Sequence, residues 1–169
     1  MSSVSTPPAA SNPSKPLSTQ PLTRNFETMN FEKIIFIAAE PEKVWDALIN
    51  PEMTVQYMFG CQPVTDWKPG SKLIWRGAAD GVDYVTGNVV KFEPPTVLAF
   101  TTFNPNGGEP DVPENHLLGE YRLEPAEGGT NLHISQGDFS KVANGEQRYQ
   151  ESVQAWEMTL GILKQLLEA

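Results

Sequence analysis

Residues 149–167 read YQESVQAWEMTLGILKQLL, and within them Tyr149, Val153, Trp156, Leu160, Leu163 and Leu167 recur at steps of four and three. That spacing lays one apolar stripe along a long helix at the end of the chain. The stripe needs a broad apolar surface to lie on. Upstream, from Phe31 to Phe139, the sequence breaks into short runs rich in β-branched and aromatic residues, separated by Gly, Pro, Asn and Asp. Such runs read as strands joined by turns. The expected partner of the helix is therefore a curved antiparallel sheet of about six to seven strands wrapped around it, an α+β architecture. A sheet that grips a helix in this way leaves room for a cavity between the two.

The individual elements follow from local signals. Phe31 to Ala38, FEKIIFIA, is dense in Ile and Phe and reads as a first strand. In EPEKVWDALINPE, Pro41 suits a first helical turn, Glu40 and Glu42 favour its positive end, and Val44, Trp45 and Leu48 share an apolar face. A second short helix is expected from Pro51 to about Phe59, with Gly60 as its stop. VTDWKPGSKLIWRG reads as two brief strands around Lys68-Pro69-Gly70. Asp80-Gly81 marks another turn before DYVTGNVVKF, and Glu93-Pro94-Pro95 separates that strand from VLAFTTF. Asn104 to Asn115 lacks apolar periodicity and reads as a long polar loop, a possible lid. LLGEYRLEP and TNLHISQGDF flank Ala126-Glu127-Gly128-Gly129 as a hairpin.

Composition narrows the classes of function. Residues 1–25 contain fourteen Ser, Thr or Pro and no carboxylate, too little apolar surface to offset chain entropy, so a disordered tail is expected there and a single domain over 26–169. That stretch has no continuous apolar core of the secretory kind, and a cytoplasmic location is the default. The chain carries a net charge of −9, and because Lys15 and Arg24 are the tail's only charges, the remainder carries −11. With no basic stripe to replace counterions, nucleic acid is not an expected partner, nor is an acidic membrane. No run approaches the roughly 18 apolar residues of a membrane span. The single Cys61 rules out an intrachain disulfide and the Cys-rich metal frameworks.

Taken together, PEKVWDAL after an Ile-rich strand, the Tyr/Met/Phe helix, Pro-Gly before a strand, GNVVKFEPPTVLAFT, GGTNLHISQGDF and AWEMTLGILKQLLE resemble the START-like, helix-grip (SRPBCC) superfamily. The branch most similar is the domain named for the activator of Hsp90 ATPase, the AHSA1-like family. The resemblance spans approximately residues 31–168 and implies a helix-grip (START/Bet v 1-like) fold. Two positions depart from the pattern: Pro69-Gly70-Ser71 stands where many members have Gly-Gly, and Ala155-Trp156 where they have Gly-Trp. The Hsp90 activator proper has a further N-terminal domain that contributes to chaperone binding, which residues 1–25 cannot replace. Stimulation of Hsp90 is therefore not implied, although a chaperone or other protein partner stays among the readings.

No catalytic set assembles from the sequence. Cys61, His116 and His133 are scattered, without a nucleophile elbow or a paired spacing for zinc, so neither a Cys/His couple nor a metal site is expected, and no cofactor. Among carboxylates, Glu93, Glu120 and Glu124 lie at strand positions, and Glu120 is the foremost candidate for a general acid or base if it faces the cavity. Alternation equally places it in water beside Arg122 and Glu124, the usual lot of charges on a strand. Trp67, Trp75, Tyr84, Tyr121 and Trp156 fall on elements that would border the cavity, where aromatic walls combine burial with a polar handle. The parity of β-strand residues Leu73 and Trp75 against Ile74 and Arg76 is left open, since both rows contain apolar groups. Three functions fit: a module binding an apolar, aromatic or lipid-like small molecule, an enzyme of the cyclase or dehydratase kind using the same cavity, or a co-chaperone-like protein that docks through its acidic surface.

Overall fold

The computed structural model describes residues 29–169, so the stretch expected to be a disordered tail lies outside the described residues. The chain runs β1 (Phe31–Ile37), α1 (Pro41–Ile49), α2 (Pro51–Tyr57), β2 (Cys61–Val64), β3 (Lys72–Gly77), β4 (Asp83–Glu93), β5 (Val97–Thr102), β6 (Leu117–Ala126), β7 (Gly129–Gly137) and α3 (Gly145–Glu168). Single 3-10 turns at Pro113–Asn115 and Phe139–Lys141 precede β6 and α3. The seven strands form one antiparallel sheet in the order β1-β7-β6-β5-β4-β3-β2. β1 crosses over by way of the two short helices to the far end of the sheet, and every later strand pairs with its predecessor. The architecture is the helix-grip fold.

Why the short helices stop where they do is legible. Pro41 and Pro51 sit in first turns where no backbone donor is lost, and the Asn50 side chain accepts from the Glu52 amide. α2 ends at Tyr57 rather than near Phe59, because Phe59 and Gly60 both adopt positive φ (54° and 75°) and turn the chain into β2. The Tyr57 hydroxyl donates to the Ala47 carbonyl at 2.6 Å, tying α2 to α1.

β4 and β5 leave regular register between Val89 and Lys91, where a bulge bends the strand, and pair again at the bridge of Thr86 to Phe103. Gly87 makes that bend possible: a Cβ there would overlap the Thr101 carbonyl. Parity is also settled. Leu73 and Trp75 are buried whereas Ile74 and Arg76 are half-buried on the other face, so the first pair looks toward α3.

The stripe on α3 divides along its length. Leu160, Leu163 and Leu167 are buried with Ile37, Leu48 and Leu132, while Tyr149, Val153 and Trp156 are only half-buried. The C-terminal half is core, and its end also covers the sheet's β1 edge: Lys164 donates to the Phe36 carbonyl at 2.5 Å and the Ala38 amide donates to Glu168 at 2.9 Å. These contacts satisfy edge groups that would otherwise stand open to another strand. The N-terminal half of α3 lies over empty space.

Candidate functional site

That space is a cavity of about 900 Å³, bounded by the N-terminal half of α3, the concave face of β2 to β7, the end of α2 and the loop after β5. Its floor comes from strand alternation. Leu98, Phe100 and Thr102 on β5, and Leu132, Ile134 and Gln136 on β7, point inward at successive even steps, and the cavity begins at Phe100 on the first row and at Gln136 on the second. Trp75 packs at 6.3 Å against Phe100, which meets Tyr121 at 5.8 Å, and Tyr121 meets Trp156 edge-on at 5.8 Å. Trp156 stacks at 5.9 Å on Phe31.

One hydrogen-bonded chain crosses the aromatic floor. The Trp156 Nε1–H donates to Gln136 Oε1 at 2.8 Å, Gln136 Nε2 donates to Thr102 Oγ1 at 3.0 Å, and Thr102 Oγ1 donates to the Leu117 carbonyl at 3.4 Å. Gln136 is 9% exposed, so these bonds satisfy a buried amide and hold the indole in place. The rim is more polar. The loop expected as a possible lid is tied down at both sides: Asn106 donates to the Asp83 carbonyl at 3.0 Å, and Glu109 Oε2 accepts from Asn144 at 2.6 Å. Arg148 reaches the rim from α3 and donates to the carbonyls of Asn115 (3.1 Å) and Ala143 (3.4 Å). Burial pushes its pKa below the ordinary value, against the upward pull of Glu109 and Glu151.

Of the aromatic residues expected at a site, Trp75, Tyr84 and Trp156 line the cavity together. Tyr84 is an exposed rim residue whose hydroxyl donates to Asp80 at 2.5 Å. Tyr121 lies one layer back, fully buried behind Phe100 and Trp156, and burial raises its pKa. Trp67 is elsewhere. It occupies the β2–β3 loop at φ 58°, not a strand, and stacks on Phe92, which in turn packs on Trp45 beneath α1. Phe92 is seven residues along β4 from the cavity residue Val85, roughly 20 Å at strand rise.

The candidates for chemistry do not converge. Glu120 sits on the outer face with Arg122 at 3.4 Å, and His133 is on the same face with Glu124 at 2.8 Å. His116 stacks behind Phe103 at 5.0 Å and bonds Asp111 at 2.7 Å. Cys61 does line the cavity, but burial foremost, and Asp80 beside it, raise its pKa and keep the thiol protonated. Among the described residues no group of three or more His, Cys, Asp or Glu is arranged to hold a metal, and no helix is long and apolar enough to cross a membrane.

Sequence reasoning missed the stripe that borders the cavity on α3. It is Arg148, Ser152, Ala155 and Thr159, adjacent to the apolar stripe and made of small or polar residues that leave the space unfilled. Gln136 and Thr102 were also missed, although each is the polar end of an inward apolar row.

Comparison with known proteins agrees with this architecture. The model of the family described as Activator of Hsp90 ATPase homolog 1-like protein matches residues 38–168. No curated protein matches the sequence. Among solved structures, ChR145 from Cytophaga hutchinsonii is 33% identical, with 83% of this chain and 94% of that one covered at a TM-score of 0.66. CalU16 from Micromonospora echinospora is 21% identical, with 82% and 75% covered and a TM-score of 0.64. An HSP90 activator from Plasmodium falciparum is 16% identical, with 65% and 73% covered and a TM-score of 0.53.

Proposed function

The chain belongs to the Activator of Hsp90 ATPase homolog 1-like protein family, and from that premise we propose that it is a binding module for an apolar or aromatic small molecule held between sheet and C-terminal helix. The observation that carries this reading is the cavity itself. Its volume of about 900 Å³ falls in the range of small-molecule sites, and it combines aromatic walls with a few oriented polar groups. Trp75, Tyr84 and Trp156 supply the walls, Tyr121 backs them, and the Trp156–Gln136–Thr102 chain keeps the indole from collapsing into the space. Catalysis is the weaker reading, because Glu120 faces outward, and the carboxylates at the cavity, Glu109 and Glu151, accept hydrogen bonds from Asn144 and Gln147 at its rim. The unpaired Cys61 thiol suits a cytoplasmic setting.

Native mass spectrometry of freshly purified protein, followed by two-dimensional NMR titration with lipids and aromatic compounds, tests the proposal. The expected result is a bound mass or saturable shifts of the Trp75 and Trp156 indole N–H signals. Neither a bound mass nor any movement of those signals with any compound would overturn it and leave docking through the acidic surface as the surviving function.

A further inference from the structure

The rim of the cavity differs in chemistry from its floor, and the difference bears on what kind of molecule fits. Three ionic groups stand there: Glu109, Arg148 and Glu151. Each is oriented by a neighbour that uses only part of its hydrogen-bonding capacity. Glu109 accepts through Oε2 from Asn144 and Glu151 accepts through Oε2 from Gln147. That leaves the other oxygen of each carboxylate without a side-chain partner among the described residues. Arg148 spends one N–H on each of the Asn115 and Ala143 carbonyls, out of the five that a guanidinium carries. No ion pair within 4 Å joins Arg148 to either carboxylate, yet both act on its charge through space. Ser152, one turn along α3 from Arg148, adds a hydroxyl to the same edge.

A charged ligand head suits this rim poorly. An acid group at Arg148 would face Glu109 and Glu151, and an ammonium group at either carboxylate would face Arg148. A neutral head rich in hydroxyls meets no like charge, and it can accept from Arg148 while donating to the carboxylates. Such pairings, made to ionised partners, are the stronger kind of hydrogen bond. We infer that the ligand is amphipathic, with an aromatic or apolar body against Trp75, Phe100 and Trp156 and a neutral polyhydroxylated head, of the sugar or polyol class, against Arg148, Glu109 and Glu151. This inference rests on the binding reading above and specifies its ligand.

The test uses four probes with one aromatic body: 2-naphthol, 2-naphthyl β-D-glucopyranoside, 2-naphthoic acid and 2-naphthylmethylamine. Affinities are measured by calorimetry on the full chain, with the Trp75 and Trp156 indole N–H signals reporting the floor. The glucoside is expected to bind about tenfold or more tighter than 2-naphthol, the gain of one or two net hydrogen bonds, and tighter than the acid and the amine. Arg148→Met is expected to bring the glucoside down to the affinity of 2-naphthol. Glu151→Gln, which keeps an acceptor at the same place, is expected to cost the glucoside no more than about threefold. If the acid or the amine binds tightest, or the glucoside and 2-naphthol bind alike, the polyol head is refuted while the cavity reading stands. If none of the four moves the indole signals, the aromatic body and polyol head are refuted, while the cavity reading falls only when the wider panel of lipids and aromatic compounds and the bound-mass measurement are also negative.

Discussion

Replacing Trp156 by Phe while also replacing Gln136 by Met tests whether the hydrogen-bonded chain holds the cavity wall. Phe keeps a ring against Phe31 and Tyr121 but deletes the indole N–H that donates to Gln136 at 2.8 Å. The lost bond and the smaller ring are worth about 2 kcal/mol together. Gln136→Met leaves the indole N–H without its acceptor and Thr102 without its donor, for about 1–2 kcal/mol. The double variant removes both partners of the 2.8 Å bond at once, so its cost falls short of the sum by the energy of that bond. We expect a coupling of about 1 kcal/mol. A sealed core would give more, but water entering the cavity can rescue either abandoned group, which keeps the value at that level. The assay is equilibrium urea unfolding of the parent, the two single variants and the double variant. Trp67→Phe combined with Gln136→Met serves as control, since Trp67 stacks on Phe92 well away from Gln136, and should be additive within about 0.5 kcal/mol. A Trp156–Gln136 coupling indistinguishable from that of the control pair would refute the idea that the chain positions the indole.

Gly87→Ala should destabilise the domain by about 3 kcal/mol or prevent its folding, because the added methyl must displace the Thr101 backbone where the sheet bends; a melting temperature within 2–3 °C of the parent, under about 1 kcal/mol, would count against that account. Asp138 gives a pH signature. Burial acts to raise its pKa, but the Ser140 hydroxyl, the amides of Met29 and Ser140, and Lys141 outweigh it, so the folded value lies below the ordinary 3.8. Its contribution is therefore complete above pH 3.8 and is lost as the pH falls from there through the folded value, and Asp138→Asn should flatten that part of the acid unfolding profile. Cys61 should react with iodoacetamide about tenfold or more slowly than a free thiol at pH 8, and slower still with the cavity filled. Reaction at the free-thiol rate in both states would mean that the cavity does not enclose it.

Much of the fold could be read from the chain because its signals are local and periodic. The α3 stripe, the prolines at the starts of α1 and α2, the hairpin around Gly128 and the breaks at Pro94-Pro95 each follow from a few neighbouring residues. Where α2 stopped early, the cause was Phe59, a residue whose left-handed backbone nothing in its side chain announces. The aromatic residues were harder to place. Trp67 and Trp75 are eight positions apart and chemically alike, yet one lies in a loop over Phe92 and the other on the cavity floor.

From the sequence alone came the helix, the sheet that must receive it, and the acidic and single-thiol character. The tertiary structure decided which of two faces each strand turns inward and which stripe of α3 looks into the space. It thereby brought Gln136, Thr102 and Trp156 into one chain and set Arg148 among Glu109 and Glu151. The physical reason is that a helix or strand period specifies which residues share a face, whereas the partner of that face depends on register and curvature between segments distant in sequence. A cavity is the part of such a packing that no residue fills, and small side chains such as Ser152 and Ala155 reveal it only once the opposing surface is in place.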